Sequence, residues 1–209
     1  MHVRPGTQHP ATDNRSVVRA RPLTRGASPD SIAIARSISR PDAFSAIFDR
    51  HFRGVHRYLS RRVGRELADD LASATFTVAF ERRRTFRTDS DSAFPWLLGI
   101  ATNLLRNYRR SEQRALEAVA RLGSTGVAFA GEPPTGDDDR DLAGALAGLD
   151  PDQRDVLFLY AWAELSYEEI AQTLGVKVGT VRSRLSRARA QLRAELSQPR
   201  AAVANKEDR

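Results

Sequence analysis

The chain contains no cysteine and only two lysines, and it has no long apolar run. Without cysteine, its 209 residues can form no disulfide, no thiolate zinc site and no thiol redox sensor. Lys177 and Lys206 are the only lysines among 33 basic residues. This excess of arginine is typical of a GC-rich genome, because arginine codons are GC-rich and lysine codons are AT-rich. No segment has the length of a membrane span or the apolar core of a signal peptide, so we expect a soluble, cytoplasmic protein.

Common signatures of catalysis and of cofactor binding are also missing. The sequence has no phosphate-binding loop, no dinucleotide-binding glycine pattern and no nucleophile elbow. His51 and His56 are five residues apart, which does not place them on one face of a helix, and we expect no metal site. Asp69 and Asp70 are adjacent, so their side chains diverge by about 100° on a helix. We therefore expect no enzyme, no cofactor and no small-molecule substrate.

Positive charge is in excess, with a net charge of +7 and a pI near 10.6. This balance favours a polyanionic partner. Residues 41–111 carry 13 arginines against eight acids, whereas residues 112–145 carry three arginines against seven acids. No strand-like alternation occurs, so we predict an all-α protein with two small helical domains and a flexible acidic linker. The predicted divisions are a disordered basic arm (1–40), a first domain (41–111), the linker (112–140), a second domain (141–197) and a disordered tail (198–209).

Apolar stripes predict the helices of the first domain, and capping signals predict those of the second. In the first domain we expect helices over 42–62, 66–84 and 93–110. Segment 85–92, TFRTDSDS, has the composition of a loop. In the second domain, Asp150 has the position of an N-cap, followed by a proline suited to the first helical turn.

The stretch SYEEIAQTLGVKVGTVRSRLSRARAQLR has the pattern of a helix-turn-helix. Ser166 and Glu169 form an S-x-x-E capping box, which predicts the start of its first helix. Gly175 stands where that helix must end and the chain must turn. Together with Ala171 and Val181, this glycine gives the spacing A-x3-G-x5-V, which lets two helices approach closely across a short turn.

The second helix of this motif has a buried stripe and an opposite polar face. Steps of three and four residues along the stripe connect Val178, Val181, Leu185, Ala188 and Leu192. The opposite face and its flanks carry Thr180, Arg182, Ser183, Arg184, Ser186, Arg187, Arg189, Ala190 and Arg193. Small polar groups bordered by arginines suit a helix that lies in a DNA major groove. The alternative is a basic surface helix that only faces solvent.

A basic helical domain, an acidic linker and a C-terminal helix-turn-helix together resemble bacterial sigma factors of the extracytoplasmic-function (ECF) group of the sigma-70 family. The similarity covers about residues 42–193. It rests on FSAIFDRHFRGVHRYLSRR, LADDLASATFTVAFERR and FPWLLGIATNLLRNYRR in region 2, and on EIAQTLG followed by GTVRSRLSRAR in region 4. The resemblance implies a transcription initiation factor that binds the β and β′ subunits of core RNA polymerase, recognises the −10 and −35 promoter elements, and has an anti-sigma partner.

The resemblance implies two contact surfaces in region 2. The residues implied in docking on the β′ clamp helices are Asp69, Asp70, Leu71 and Phe76. This sequence departs from the family pattern D-L-x-Q-E/D-x-F, because Ser73 and Ala74 occupy the glutamine and acidic positions. The residues implied in capture of the −10 element are Phe86, Arg87, Thr88, Asn103, Arg106, Asn107, Arg109 and Arg110. We expect Trp96, which is close to them, in the core rather than stacked on a base.

In region 4, the polar face of the second helix coincides with the family's −35 readers. We assign base or groove contacts to Arg182, Ser183, Ser186 and Arg187. We assign phosphate contacts to Thr180, Arg184 and Arg189.

Two other functions remain as alternatives at this point. One is a stand-alone helix-turn-helix regulator, which would dimerise to read two half-sites, and no strong heptad pattern or second apolar face predicts such a dimer. The other is a protein whose basic surfaces serve protein contacts only.

Overall fold

The computed structural model describes residues 27–87, 90–121 and 137–197, and within these ranges all regular structure is helical. The helices are α1 (Pro29–Ser37), α2 (Ser45–Val63), α3 (Arg65–Glu81), α4 (Phe94–Arg121), α5 (Asp137–Gly148), α6 (Pro151–Ala161), α7 (Tyr167–Leu174) and α8 (Val178–Leu196). Helices α1–α4 form the N-terminal module, and α5–α8 form the C-terminal module. The prediction of an all-α, two-domain protein is confirmed. None of these helices is long and apolar enough to cross a membrane.

Helix α1 lies inside the stretch that we predicted to be a disordered arm, so that prediction was wrong from residue 27 onward. The Ser28 side chain caps the helix by accepting a hydrogen bond from the Ser31 backbone N–H, and Pro29 takes the first helical position. Ile34 is only 1% exposed and packs into the core of the N-terminal module. The other part of the predicted arm, residues 1–26, lies outside the described residues.

The ends of α2 and α3 and the start of α4 lie within three residues of the predicted helix ends. Gly64 separates α2 from α3 with a φ of 79°, a value that favours glycine. Helix α4 continues to Arg121 rather than ending near Arg110, and α5 already begins at Asp137. Both ends of the predicted linker are therefore helical. The segment between them, like the predicted C-terminal tail, lies outside the described residues.

The core of the N-terminal module holds one side of α4 against α2 and α3. Leu59 of α2 and both Leu97 and Leu105 of α4 are fully buried there. Burial of one such side chain stabilises the folded state by about 1.5–3 kcal/mol relative to its exposure to water. The Tyr58 and Thr102 hydroxyls are 2.8 Å apart and satisfy each other within this core.

The predicted helix-turn-helix is confirmed as α7 and α8. The Ser166 hydroxyl accepts a hydrogen bond from the Glu169 backbone N–H, and the Glu169 carboxylate accepts one from the Ser166 backbone N–H, so both halves of the capping box form. Gly175 has a left-handed φ of 65° and its N–H donates to carbonyls of the last turn of α7. Val181 and Leu185 of α8 are buried, as the stripe predicted.

Candidate nucleic-acid interface

The polar face of α8 is open to solvent over most of its length. The predicted contact residues that are exposed are Arg182, Ser183, Ser186, Arg187 and Arg189. The Ser183 hydroxyl donates to the Thr180 carbonyl at 3.0 Å, so it is satisfied within the helix. The Arg189 guanidinium lies 4.8 Å from the centre of the Tyr160 ring, which orients it beside the face. The centre of the face, around Ser186 and Arg187, is open to solvent.

Arg184 differs from its neighbours, because its guanidinium contacts the Asp152 carboxylate of α6. Asp150 caps α6 as predicted, accepting hydrogen bonds from the backbone N–H groups of Asp152 and Gln153. Asp152 and Asp155 lie three residues apart on this helix and so share a face. In this structure Arg184 therefore contacts protein at the position where we predicted a phosphate.

The predicted −10 residues on α4 fall into two groups. Asn103, Asn107 and Arg110 are exposed. Arg106 is half-buried, and its guanidinium contacts Asp155 at 2.5 Å and Asp152 at 2.7 Å.

Arg109, one turn further along α4, is also half-buried and donates to the Arg62 backbone carbonyl at 3.1 Å. Burial, followed by repulsion from Arg62 and Arg154, lowers the pKa of Arg109 to about 10. Arg109 is thus mainly withdrawn from water, with Arg62 and Arg154 as like charges beside it.

The two modules meet at a cluster of charged residues. Arg62 of α2 and Asp155 of α6 form an ion pair whose side chains are 1% and 2% exposed. The Arg62 guanidinium also lies 5.1 Å from the centre of the Phe158 ring. We call the following residues the inter-module ion cluster: Arg62, Arg106, Asp152, Asp155 and Arg184. Sequence reasoning missed both aspartates, because nothing local in the sequence marks partners that are 32 to 93 residues away.

A second contact joins the start of α4 to α7. The Thr173 hydroxyl donates to the Pro95 carbonyl at 3.1 Å. Gly99 lies beside this bond, and a Cβ atom placed on it would be 3.0 Å from the Thr173 carbonyl oxygen. A larger residue at position 99 would therefore displace α7.

The loop between α3 and α4 contributes less exposed surface than we predicted. Phe86 is only 7% exposed, and its ring centre is 5.2 Å from that of Trp96. Trp96 is partly buried against the core, in agreement with the role we expected for it. Arg87 is exposed, and Thr88 lies outside the described residues. In this conformation Phe86 belongs to the core, so contact with a base would require it to leave Trp96.

The predicted polymerase-docking surface combines exposed acids with a buried apolar layer. Asp69 and Asp70 are exposed, whereas Leu71 is 8% and Phe76 is 5% exposed. The exposed aromatic residue at this surface is Phe48, which is 42% exposed and has its ring centre 5.0 Å from that of Phe76. The sequence did not indicate that Phe48 is exposed, because this residue falls on the apolar stripe of α2 together with buried residues.

No group of three or more histidine, aspartate or glutamate residues able to hold a metal ion occurs within the described ranges.

Comparison with known proteins matches both modules to one family. A family model described as Sigma-70 region 2 matches residues 47–115, and one described as Sigma-70, region 4 matches residues 139–192. RNA polymerase sigma factor CarQ from Myxococcus xanthus is 34% identical over 155 residues, which cover 73% of this chain and 88% of CarQ. ECF RNA polymerase sigma factor SigE from Mycolicibacterium smegmatis is 37% identical over 153 residues, which cover 69% of this chain and 58% of SigE.

A solved structure shares the fold. It is the sigma factor RpoE in complex with the anti-sigma factor NepR from Bartonella quintana, with a TM-score of 0.60 and 27% identity. The match covers 75% of this chain and 98% of that chain. The sequence matches and the shared fold agree, and this chain belongs to the sigma-70 family as an RNA polymerase sigma factor of its ECF group.

Proposed function

We propose that this protein is a dissociable initiation factor that gives RNA polymerase its promoter specificity through two separate DNA contacts, one on each module. The observation that carries the proposal is that α8 and the second half of α4 each present exposed polar and arginine side chains, one set on each module of the same chain. A stand-alone regulator of duplex DNA needs the first face but has no use for the second. Sigma factors are initiation factors rather than enzymes, and we assign no catalytic role.

The −35 contact is assigned to α8. Ser186 and Arg187 lie at the exposed centre of its polar face, where side chains reach base edges when a helix occupies a major groove. Arg182 and Ser183 extend this contact toward the N-terminus of the helix. Arg189, held beside the Tyr160 ring, is placed at the edge of the face, where phosphates pass.

The −10 contact is assigned to α4 and to the loop that precedes it. Asn103 and Asn107 offer hydrogen-bonding groups one turn apart, and Arg110 adds an exposed positive charge. Such a combination suits an unpaired strand, which needs polar contacts to bases and a basic track for phosphates. Arg87 in the loop is also exposed and extends the basic track.

Full DNA contact requires the two modules to separate. Arg106 and Arg184 are held by Asp152 in the inter-module ion cluster, and Arg109 is enclosed beside Arg62. Since these three arginines belong to the predicted −10 and −35 surfaces, neither surface is complete in this arrangement. The described arrangement is therefore assigned to the free factor, and an open arrangement to the factor on polymerase and promoter DNA.

The contact with core polymerase is assigned to the surface of α2 and α3 that carries Asp69, Asp70 and Phe48. Exposed carboxylates beside one exposed aromatic ring suit a basic partner surface with an apolar anchor. Leu71 and Phe76 support this surface from beneath. An anti-sigma partner is part of the proposal, because the RpoE structure was solved with one.

Reconstitution with core polymerase tests this proposal. The full chain, core enzyme and a library of randomised upstream sequences should give transcripts whose templates share two sequence elements at −35 and −10 spacing. Core enzyme alone serves as the control for non-specific starts. Transcripts that do not depend on the protein would overturn the proposal. Specific binding to duplex DNA without polymerase would favour the stand-alone regulator instead.

A further inference from the structure

Asp30 of α1 is a buried carboxylate that joins three elements of the N-terminal module. Its side chain is 5% exposed. One oxygen contacts the Arg50 guanidinium of α2, and the other lies 2.7 Å from Nε2 of His51. The same second oxygen accepts a hydrogen bond from the Ala93 backbone N–H at 2.7 Å. A carboxylate with this many donors is fixed in position and in charge.

The bond to Ala93 places Asp30 at the N-terminus of α4. The first N–H groups of a helix have no partner within the helix, and a negative charge there also interacts favourably with the helix dipole. The Ser92 hydroxyl lies 3.3 Å from the same carboxylate oxygen and accepts from the Phe94 N–H at 3.1 Å. Asp30 therefore caps α4 from another helix, 63 residues away in sequence.

Helix α1 also fixes the loop that leads into α4. The hydroxyls of Ser28 and Ser31 both donate to the Ser90 carbonyl, at 2.9 Å and 3.0 Å. Ser90 belongs to the loop assigned to the −10 contact. The end of this loop is thus held at two points by one short helix, at Ser90 by two hydroxyls and at Ala93 by a carboxylate.

The groups around Asp30 stabilise the negative charge of its carboxylate. Burial alone raises the pKa of this carboxyl, but the hydrogen bonds from His51 and Ala93, the charge of His51 and the bond from Arg50 together hold it well below its usual range. Asp30 is therefore ionised at neutral pH. Replacement by an uncharged side chain would leave the donors of Arg50 and His51 without their buried acceptor.

We propose that Asp30 is a positioning residue for −10 recognition, which sets the start of α4 and the end of the preceding loop so that their DNA contacts point to one strand. The inference rests on the proposed function, because it assigns a role within the −10 contact. The residue itself is buried and touches no DNA. Its effect passes through Ala93 and Ser92 to the helix that carries Asn103 and Asn107.

The test uses holoenzyme reconstituted from core polymerase and the full chain carrying Asp30→Ala. Strand opening at −10 is measured by permanganate reactivity of unpaired thymines, on a promoter that wild-type holoenzyme opens. Core binding and the affinity of holoenzyme for a duplex with the −35 element alone are measured in parallel. We expect opening to fall about tenfold, the scale for loss of hydrogen bonds to a charged group, while the other two measurements stay within about twofold.

Two further variants separate positioning from general stability. Asp42→Ala removes an exposed carboxylate that pairs with Arg40 at the surface, and holoenzyme with this variant should open the promoter like the wild type. Ser31→Ala removes one hydroxyl from the Ser90 carbonyl but keeps Asp30, and it should give a smaller opening defect than Asp30→Ala.

Three results would count against the proposal in different ways. Wild-type opening by Asp30→Ala overturns it, and so does a parallel loss of core binding and −35 affinity, since that indicates a folding defect. If wild-type holoenzyme opens no promoter at all, the proposed function fails and this inference fails with it.

Discussion

Arg62 and Asp155 form a fully buried ion pair between the two modules of this sigma factor, 93 residues apart in sequence. Removing one partner of such a pair while the other stays buried costs about 3–5 kcal/mol. Separating the modules instead returns both charges to water, which offsets much of the lost attraction. The pair therefore specifies the closed arrangement without making it irreversible, which fits the proposed opening on promoter DNA.

Asp155→Asn should shift the free protein toward the open arrangement. In the closed arrangement the variant leaves Arg62 buried beside Arg106 without an opposing charge, at a cost of about 3–5 kcal/mol. In the open arrangement Arg62 is hydrated. Energy transfer between dyes on introduced cysteines, one in each module, should decrease. Asp42→Asn removes the same charge from an exposed site and should leave the transfer unchanged. Equal transfer in Asp155→Asn and wild type would contradict the assignment.

Gly99→Val should open the modules by steric conflict instead of charge. A Cβ at this position already lies 3.0 Å from the Thr173 carbonyl oxygen, and valine adds two methyl groups beyond it. Gly144 on α5 has open space around its Cα, so Gly144→Val is a matched control. The same dye pair should report separation for position 99 and no change for position 144. A fully closed Gly99→Val protein would show that this contact does not hold α7 against α4.

Arg187→Ala should weaken −35 binding by holoenzyme by about 1–3 kcal/mol and relax the base preference there. Arg187 is exposed at the centre of the polar face of α8, so the change removes a DNA contact and little folding energy. Arg57→Ala removes another exposed arginine, from α2 and outside both predicted DNA surfaces. Binding to promoter variants, measured at one salt concentration, compares the two. Normal initiation by Arg187→Ala from all promoters would refute the α8 assignment.

The contribution of Asp30 to stability should disappear in acid. Its folded-state pKa lies below its ordinary value of 3.8, so the unfolded chain takes up the proton first as the pH falls. The stabilisation is present above about pH 4 and is lost progressively as the pH falls toward the folded-state value. Asp30→Asn should therefore lower the free energy of unfolding by about 1.5–3 kcal/mol at neutral pH, and the difference from wild type should narrow below pH 4. Urea titrations across this pH range measure the free energy of unfolding of both proteins. A difference between them that widens in acid would contradict a lowered pKa of Asp30 in the folded state.

Local signals account for what the sequence predicted well. Gly64, Gly175 and the Ser166–Glu169 capping box each determine a helix end through contacts within a few residues, and these ends were found. Helix α1 escaped prediction because it is short and poor in large apolar residues. It is ordered by tertiary contacts such as that between Asp30 and Ala93.

In the candidate site, too, local patterns could be read from the sequence and contacts between distant residues could not. Helical periodicity predicted Arg184 beside the polar face of α8, and the family resemblance implied Arg106 in the −10 contact. Periodicity carries no information about which distant carboxylate meets them, so the pairing of both arginines with Asp152 had no signature in the sequence. The assignment of individual residues to bases or phosphates stays a prediction.

A reversible covalent lock across the two modules tests the central claim most directly. The chain has no cysteine, so Thr85→Cys with Gln172→Cys introduces one defined pair of exposed thiols on opposite sides of the cleft between α7 and the N-terminal module. A short thiol-reactive linker that contains a disulfide joins the pair, and the oxidised form is the one in which this disulfide is intact. Promoter-specific transcription by core polymerase is measured with the oxidised and the reduced double variant, and each single variant serves as a control. We predict that the oxidised double variant is inactive and that a reductant restores transcription. Equal transcription from the oxidised and reduced forms would contradict the claim that the modules must separate to bind the promoter.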